Sequence, residues 1–359
     1  MKRYLIIGLI LLIGATFIIV PLLKNNTPDL TDPAEFNFKE NLATNYGKDL
    51  PIAFTVNRDD IVQLELIYND QVVQRWAKPK KGALSVVLDA DFYGVGTRPL
   101  VLRAKLSDGT LEEADSRMIR VLSDIEPKPL DAVSVSTFPH NTANYTQGLE
   151  FNNGLLYEGT GNPGNTGESS IGVIDMATGQ YVTGKKNGLD ATYFGEGITI
   201  FGDDLFQITW KNGKCFVYDK NTLQLKRDFT YTGEGWGLCN NGKELIMSDG
   251  SERITFRDPK SFAVKRTIEV YDEQGPIVNL NELEFVNGKI YANIWQTSTV
   301  VTIEPETGRV LERIDATPLE AVGKMGGEVL NGIAYNPATK KLYMTGKNWG
   351  KIMEVAIQE

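Results

Sequence analysis

The nine residues LEFNNGLLY at 149–157 recur in slightly altered form as LEFVNGKIY at 283–291. Looser copies of this phrase are ITIFGDDLF at 198–206, LCNNGKELI at 238–246 and IAYNPATKKLY at 333–343. Successive copies begin 49, 40, 45 and 50 residues apart. Repeats of this length, each built on two short apolar runs around a turn, are typical of the blades of a β-propeller.

A second phrase follows each hairpin, as in IGVIDMATGQ and CFVYDKNTLQ, so that each unit has about four short strands. The sequence therefore predicts an all-β chain in which residues 132–359 form a five-bladed β-propeller. The fifth unit lacks an outer strand at its C-terminal end. We expect AVSVSTF, at 132–138, to supply that strand and close the ring, which would remove an exposed sheet edge.

Residues 46–126 have a different pattern, in which short runs of alternating apolar and polar residues are separated by turn signals. This pattern predicts a small antiparallel β-sandwich, immunoglobulin-like in type. It contains no reactive constellation, and it is interpreted either as a spacer or docking module or as an appendage that only adds stability. Residues 25–45 are predicted to be a tether and residues 127–131 a linker.

The first 24 residues stand apart from the rest. Lys2 and Arg3 precede the twenty uncharged residues 4–23, which as a helix reach about 30 Å, the thickness of a bilayer core. We predict an uncleaved signal anchor that leaves the body of the protein extracytoplasmic, in the periplasm or at the cell surface. A cleaved signal peptide is the alternative, and it predicts the same location for a secreted product.

Charge and composition exclude several classes of function. The 359 residues carry a net charge of -9 and no basic stripe, which argues against a nucleic-acid partner. His140 is the only histidine, so a zinc site with several histidines is excluded, and we interpret His140 as a structural or surface residue. Cys215 and Cys239 have no metal-like spacing.

Equivalent positions of the repeats converge on one mouth of the predicted ring. The position two before each repeat start holds Gln147, Glu196, Trp236, Asn281 and Asn331. In four of the five units the next residue is glycine, which we expect to form the entry turn into the strand. The position twelve after each start, at the end of the second strand, holds Gly161, Trp210, Gly250 and Trp295, with Lys347 as the match in the longer fifth hairpin.

These residue types suit a small substrate that carries both an amine and an amide. Burial among indoles would raise the pKa of Glu196 and make it a general base and acid. The amides could orient a carbonyl or amide, and the indoles could enclose a small side chain. Lys347 could stabilise an oxyanion or keep a nearby amine neutral. The neighbouring acids are interpreted as structural: Glu150, Glu234, Glu282 and Glu284.

Six motifs together resemble the plant-type glutaminyl-peptide cyclotransferases over residues 135–359: YTQGLEF (145–151), YFGEGIT (193–199), QITW (207–210), GEGWGL (233–238), LNELEF (280–285) and TGKNW (345–349). The resemblance implies a five-bladed propeller that converts N-terminal glutamine to pyroglutamate with release of ammonia. It also implies that the glutamate of the FGEG motif, Glu196, shuttles the proton. Two positions depart from the family's pattern, namely Tyr145, where phenylalanine is expected, and Asn141, where aspartate is expected.

The expected roles combine the repeat positions with the resemblance. The predicted catalytic residues are Glu196, Lys347 and Asn281. The predicted substrate-binding residues are Tyr145, Gln147, Phe194, Trp210, Trp236, Trp295 and Asn331. The expected partners are peptides or proteins with N-terminal glutamine, and the membrane through the N-terminal helix. We expect no cofactor.

Two alternatives stay open at this point. A non-catalytic propeller could use the same ring to bind a peptide or a sugar, since a fold does not determine a function. A metal-dependent propeller of the lactonase type would need several oxygen ligands around one ion, and a structural Ca²⁺ beside Glu196 and the amides is compatible with the sequence.

Overall fold

The computed structural model describes residues 31–165 and 168–359. The predicted N-terminal helix, residues 1–24, lies outside this part of the chain. Most of the secondary structure in the described residues is β-strand. The helices found there are α1 (Thr317–Gly323) and a short 3₁₀ turn (Pro163–Asn165). Among the described residues, no helix has the length and apolar character needed to cross a membrane. The predicted all-β class is therefore confirmed.

Two sheets form an N-terminal module around one hydrophobic core. Its strands are β1 (Ala34–Phe36), β2 (Leu42–Asn45), β3 (Leu50–Val56), β4 (Ile61–Tyr68), β5 (Gln71–Ala77), β6 (Gly82–Leu88), β7 (Gly96–Leu106) and β8 (Leu111–Leu122). The sheet orders are β1-β3-β6 and β2-β8-β7-β4-β5. Buried residues alternate with more exposed ones along β3 and β7, as the sequence pattern predicted.

Strands β1 and β2 lie within residues 25–45, which were predicted to be a tether, so the module begins earlier than expected. One pairing in the module also differs from the antiparallel arrangement that the sequence predicted. Strand β2 runs parallel to β8, with Leu42 opposite Ile119. Consecutive strands β1 and β2 belong to different sheets, so the chain crosses between sheets before β2 takes the open edge beside β8. The chain that connects β2 to β8 runs through β3 to β7, and a parallel pair needs such a long connection rather than a tight hairpin.

The remaining strands form five four-stranded units, called units 1 to 5 here. Unit 1 has β10 (Tyr145–Asn152), β11 (Leu155–Gly161), β12 (Ser170–Asp175) and β13 (Gln180–Gly188); unit 2 has β14 (Gly195–Phe201), β15 (Asp204–Thr209), β16 (Lys214–Asp219) and β17 (Leu225–Thr230). Unit 3 has β18 (Leu238–Asn240), β19 (Leu245–Ser248), β20 (Arg253–Arg257) and β21 (Val264–Glu269). Unit 4 has β22 (Leu280–Val286), β23 (Lys289–Ile294), β24 (Thr299–Ile303) and β25 (Val310–Asp315); unit 5 has β26 (Leu330–Asn336), β27 (Lys341–Gly346), β28 (Lys351–Gln358) and β9 (Lys128–Pro139).

The first strands of the units contact one another in a closed cycle. Strand β10 contacts β14, then β14 contacts β18, β18 contacts β22, β22 contacts β26, and β26 returns to β10. Apolar clusters fill the spaces between units; one of them joins Ile171 and Val173 of unit 1 to Ile198 and Leu205 of unit 2. The core of this part of the protein is therefore divided among the seams between neighbouring units.

Strand β9 completes unit 5. It pairs antiparallel with β28, which confirms the prediction that residues 132–138 supply the missing outer strand. The strand is longer than predicted, because residues 128–131, expected to be linker, pair in parallel with β25 of unit 4. Units 4 and 5 thus share one continuous eight-stranded sheet.

Three of the four glycines at the start of the first strands do not form the entry turn that the sequence predicted. Gly148, Gly197 and Gly237 are absent from the residues with positive φ. An added Cβ would lie 2.5 Å from Ile198 N, 2.4 Å from Leu238 N and 2.0 Å from the Asn281 carbonyl oxygen, respectively. The glycines are therefore needed because the backbones of neighbouring units approach closely here. Only Gly332, with φ of 119°, has the conformation that favours glycine.

The N-terminal module packs against the outer parts of units 3 and 4. Val95 N donates to the Thr307 carbonyl oxygen at 2.9 Å, and Thr97 N donates to Glu269 Oε2 at 2.9 Å. Arg309 Nη1 donates to Asp124 Oδ1 at 2.8 Å. No described residue of the module lines the cavity that the five units enclose.

Candidate active site

A cavity of about 150 Å³ is lined by side chains from all five units. Nine side chains line it: Tyr145, Gln147, Phe194, Glu196, Trp210, Trp236, Asn281, Trp295 and Lys347. The structure thus brings together nine of the ten predicted site residues. The tenth, Asn331, does not line the cavity but contacts Gln147, which does.

Glu196, on β14, is 5% exposed. Its Oε1 accepts a hydrogen bond from Gln147 Nε2 at 3.1 Å. Burial raises the pKa of Glu196 well above its ordinary value, the positive charge of Lys347 acts in the opposite direction, and the negative charge of Glu234 adds to the increase. A carboxyl group with a raised pKa can exchange a proton near neutral pH, which an ordinary glutamate does poorly.

Asn331 orients Gln147 from behind the cavity. Its Nδ2 donates to Gln147 Oε1 at 3.2 Å and to the Thr146 carbonyl oxygen at 3.0 Å. Since Gln147 Oε1 accepts from Asn331, Gln147 Nε2 is left to face Glu196. Asn331 is fully buried and does not line the cavity, because its amide is engaged by β10. It was predicted to touch the substrate, whereas the geometry makes it a positioning residue.

Lys347 brings a buried amine to the same cavity. It is 4% exposed, and its Nζ lies 4.9 Å from the centre of the Tyr145 ring. Burial lowers the pKa of Lys347, while the charges of Glu196 and Glu328 partly offset that decrease. Among the described residues, no carboxylate oxygen lies within 4.0 Å of its Nζ. Lys347 therefore faces the cavity without a direct ion-pair partner.

Aromatic rings form the walls of the cavity in two edge-to-face groups. Phe194 lies 6.3 Å from Tyr145 and 5.7 Å from Trp210, and Trp236 lies 5.5 Å from Trp295. These are separations at which edge-to-face pairs attract.

Glycines at two repeat positions leave space for these rings. A Cβ at Gly161 would lie 2.3 Å from Phe194 Cε1, and one at Gly250 would lie 2.6 Å from Trp236 Cε2. Phe194 therefore occupies the space that a side chain at position 161 would fill, and Trp236 occupies the space that a side chain at position 250 would fill.

Asn281, on the cavity wall, has a buried side-chain oxygen, Oδ1, with no hydrogen-bond partner among the described residues. Its carbonyl oxygen accepts from Ser248 Oγ at 2.7 Å, which holds the backbone in place. Buried polar atoms are usually paired, so an unpaired amide on a cavity wall indicates a position where a ligand group can bond.

Two rim carboxylates contact the lining residues, and the sequence did not single out either of them for the site. Glu234 Oε2 accepts from the indole Nε1 of Trp210 at 2.8 Å and of Trp236 at 3.0 Å. Glu328 Oε2 accepts from the Tyr145 hydroxyl at 3.1 Å. The second Gly-Glu-Gly, at 233–235, could have pointed to Glu234, whereas Glu328 lies outside the repeated phrases.

His140 is buried and lies outside the cavity. Of the two interpretations from sequence, a structural or a surface residue, the structure agrees with the structural one. Its Nε2 lies 3.0 Å from Glu158 Oε1, and its Nδ1 lies 2.7 Å from the Trp349 carbonyl oxygen. Burial acts to lower the pKa of His140, but the charge and hydrogen bond of Glu158 outweigh it, so the pKa is raised. Because both ring nitrogens face acceptors, the geometry is that of an imidazolium.

Glu150, Glu282 and Glu284, which the sequence predicted to be structural, lie on the first strands of units 1 and 4. Glu282 accepts from Leu149 N at 3.2 Å and from Ile333 N at 2.8 Å, and Glu150 accepts from Ile200 N at 2.9 Å. Burial raises the pKa of both groups and of Glu284. Glu150 and Glu282 therefore accept hydrogen bonds from the main chains of first strands in other units.

Within residues 31–165 and 168–359, no three His, Cys, Asp or Glu side chains are grouped so that they could hold a metal ion. What the cavity does combine is a carboxyl group and an amine, both with shifted pKa values, beside amides that can hold a carbonyl. That combination is typical of an enzyme active site that moves protons.

Comparison with known proteins agrees with this class. The sequence profile of the family described as glutamine cyclotransferase matches residues 108–357, well over half of the chain. The chain therefore belongs to the glutamine cyclotransferase family, and the resemblance predicted from its motifs is confirmed. The match begins at the turn between β7 and β8, which is earlier than the motifs indicated.

Two relatives show how far the similarity extends. The chain is 36% identical over 231 residues to a protein of Arabidopsis thaliana named glutaminyl-peptide cyclotransferase, covering 63% of this chain and 71% of that one. It is also similar to the crystal structure of Myxococcus xanthus glutaminyl cyclase, with a TM-score of 0.61 and 36% identity, over 65% of this chain and 99% of that one.

Proposed function

We propose that the chain converts the N-terminal glutamine of peptides and proteins to pyroglutamate, with release of ammonia and without a metal ion. The observation that carries this proposal is the pairing of buried Glu196 with Gln147 in a cavity that Lys347 also lines. The names of the two relatives, both cyclising enzymes of glutaminyl residues, support the same substrate.

The chemistry needs one bond to form and one to break. The α-nitrogen of the substrate attacks its own side-chain carboxamide carbon, which closes a five-membered ring. The bond from that carbon to the amide nitrogen then breaks, and the nitrogen leaves as ammonia. The α-nitrogen loses one proton and the departing nitrogen gains one, so a single group can carry the proton between them. Holding both ends of one residue together supplies much of the rate.

Glu196 is the proposed carrier of that proton. Its raised pKa makes its carboxylate a stronger base than an ordinary glutamate, and the resulting carboxylic acid can return the proton to the leaving nitrogen. The hydrogen bond from Gln147 Nε2 fixes the carboxyl group in place. Such a positioned group contributes about 10²–10⁴-fold to a rate.

Lys347 and Asn281 are proposed to act on the substrate's polar groups. Negative charge develops on the carboxamide oxygen during attack, and a desolvated ammonium or an amide N–H stabilises such charge strongly. The positive charge of Lys347 also disfavours protonation of the α-amine, whose ordinary pKa is about 7.7–8.0. The aromatic walls would enclose the methylene groups of the glutaminyl side chain.

The finer architecture is part of the proposal. We infer that units 1 to 5 are the blades of a five-bladed propeller, an inference supported by the closed cycle of first strands and the fourth strand that β9 gives to unit 5. We interpret the N-terminal module as an immunoglobulin-like sandwich, on the basis of its two sheets around one core. The uncharged run at 4–23 supports an extracytoplasmic, membrane-anchored location.

The test uses the purified full-length chain and a short peptide with N-terminal glutamine. Mass spectrometry follows the loss of one ammonia, in parallel with the Glu196→Gln variant and with a chelator. Loss that requires Glu196 and persists with chelator is the expected result. No loss from a folded sample would favour a propeller that binds a peptide or sugar without reacting, and loss that stops with chelator would overturn the metal-free mechanism.

A further inference from the structure

We propose that Glu234 is a positioning residue of the active site: its carboxylate, through hydrogen bonds to Trp210 and Trp236, fixes the aromatic walls that bind the glutaminyl side chain. The proposal rests on the function proposed above, because it concerns how that substrate is held. The sequence alone indicated a structural acid, whereas the contacts place it directly behind two lining residues.

One oxygen atom connects two units. Glu234 Oε2 accepts from Trp210 Nε1 at 2.8 Å and from Trp236 Nε1 at 3.0 Å. Trp210 follows β15 of unit 2, and Trp236 precedes β18 of unit 3. Since an indole has one N–H and no acceptor, a shared acceptor fixes the direction in which each ring plane points. Charged acceptors make these bonds stronger than neutral ones.

The constraint extends to the other walls. Trp210 is edge-to-face with Phe194 at 5.7 Å, and Trp236 is edge-to-face with Trp295 at 5.5 Å. Four of the five aromatic side chains that line the cavity therefore connect to Glu234, directly or through one neighbour. Rotation of either indole would change the shape of a cavity of about 150 Å³.

The position of Glu234 is itself constrained. Gly235 N donates to the Trp210 carbonyl oxygen at 3.0 Å, and a Cβ at Gly235 would lie 2.3 Å from the Tyr231 hydroxyl oxygen. On the solvent side, Lys211 Nζ lies 3.8 Å from Glu234 Oε1 and 3.9 Å from the centre of the Trp210 ring. The lysine thus packs over the same indole that the carboxylate bonds.

Two variants separate the acceptor from the charge. Glu234→Gln keeps an oxygen that can accept both indole N–H groups, and its KM for the N-terminal glutaminyl peptide should stay within about threefold of the wild-type value. Glu234→Leu removes the acceptor, and its KM should rise about tenfold or more, since hydrogen bonds to a charged group correspond to about that factor. Both variants remove the negative charge that helps to raise the pKa of Glu196, so the effect of the walls is measured between the two variants. Glu234→Leu and Glu234→Gln should have similar kcat values, because the walls hold ground state and transition state alike.

Nitrogen NMR of the indole N–H groups gives a readout that does not depend on activity. The chain has 5 tryptophans, so few signals need assignment. Glu234→Gln should move the signals of Trp210 and Trp236, whose acceptor changes, and leave that of Trp76 in the N-terminal module unchanged. Glu244→Leu, which removes another glutamate of unit 3 that pairs with Lys265, is the matched control and should alter neither the two signals nor KM.

The proposal is overturned if Glu234→Leu is folded and has the KM of the wild type, or if Glu234→Gln raises KM as much as Glu234→Leu does. If Glu234→Leu does not fold, unmoved signals of Trp210 and Trp236 in Glu234→Gln overturn it, and movement of both supports it. A wild-type chain that releases no ammonia contradicts the proposed function instead, and the NMR result still decides whether Glu234 holds the indoles.

Discussion

Gln147 Nε2 donates to Glu196 Oε1 at 3.1 Å, and both side chains line the same cavity. The amide comes from the first strand of unit 1 and the carboxyl group from the first strand of unit 2. Neighbouring strands can bring them this close because Gly148 has no Cβ to meet the backbone of Ile198. The contact that organises the reacting groups therefore depends on close backbone packing between units.

Glu196→Gln should lower kcat at least about a hundredfold, because it removes the group that carries the proton. Glutamine has almost the same shape as glutamate, so the fold should persist and circular dichroism should be unchanged. Steady-state release of ammonia measures the effect. Retention of more than about a hundredth of the activity would contradict the shuttle role.

Removal of the Glu196 carboxyl group should also change how stability depends on pH. Because the folded pKa of Glu196 is raised above 4.5, the folded state holds that proton more tightly than the unfolded state. Its contribution to stability is thus present below pH 4.5 and is lost as pH rises through the folded pKa. The melting temperature of the wild type, relative to Glu196→Gln, should fall over that interval. A constant difference would contradict the raised pKa.

Asn331→Leu should impair catalysis through Gln147. Gln147→Leu should lower kcat by more than Asn331→Leu does, since it removes the donor to Glu196 itself. The double variant should be about as active as Gln147→Leu alone, because residues that act through one hydrogen-bond chain are not additive. A double-mutant cycle on kcat/KM measures this, and additive losses would show that Asn331 acts separately.

Trp236→Ala should mainly raise KM, by about fivefold or more, since truncating a buried aromatic anchor typically costs over 1 kcal/mol of binding energy. The matched control is Trp76→Ala in the N-terminal module, where the indole packs edge-to-face on Phe54. That control should leave KM unchanged. Equal KM values for Trp236→Ala and the wild type would remove this indole from the substrate-binding wall.

Glu328→Gln should shift the alkaline side of the activity profile to lower pH. The charge of Glu328 raises the pKa of Lys347 against the larger, opposite effect of burial. Without it, the pKa of Lys347 falls further and the ammonium is lost at lower pH, while the glutamine still accepts from the Tyr145 hydroxyl. A profile of kcat/KM against pH tests this, with Glu306→Gln at an exposed site as the control.

His140 should hold its second ring proton to higher pH than an ordinary histidine, because Glu158 and the Trp349 carbonyl group raise its pKa and both ring nitrogens face acceptors. Its stabilising contribution is complete below pH 6.5 and is lost as pH rises through the raised folded pKa. The sole histidine gives one set of imidazole nitrogen signals, which His140→Gln would remove. A pKa at or below 6.5 in a pH titration of those signals would contradict the ion pair.

The repeats predicted most of the site because in this architecture equal sequence positions reach equal places. Glu196, Trp210 and Lys347 were located by counting from the repeat starts, and all three line the cavity. The same counting predicted that Asn331 lines the cavity, which it does not. Its amide instead bonds the main chain of the neighbouring strand β10, a contact that cannot be read from the spacing of the repeats. It also did not assign Glu234 to the site, because its role depends on two indoles from different units.

Strand β9 has a consequence for the order of biosynthesis. It leaves the ribosome before every other strand of the five units, and its partner β28 is the last strand to leave. The side chains of Ser136 and Glu354, bonded at 3.3 Å, are 218 residues apart. Contacts of such separation form slowly. The nascent chain therefore carries one edge of β9 unpaired throughout translation of the units, and unpaired edges are where chains associate wrongly.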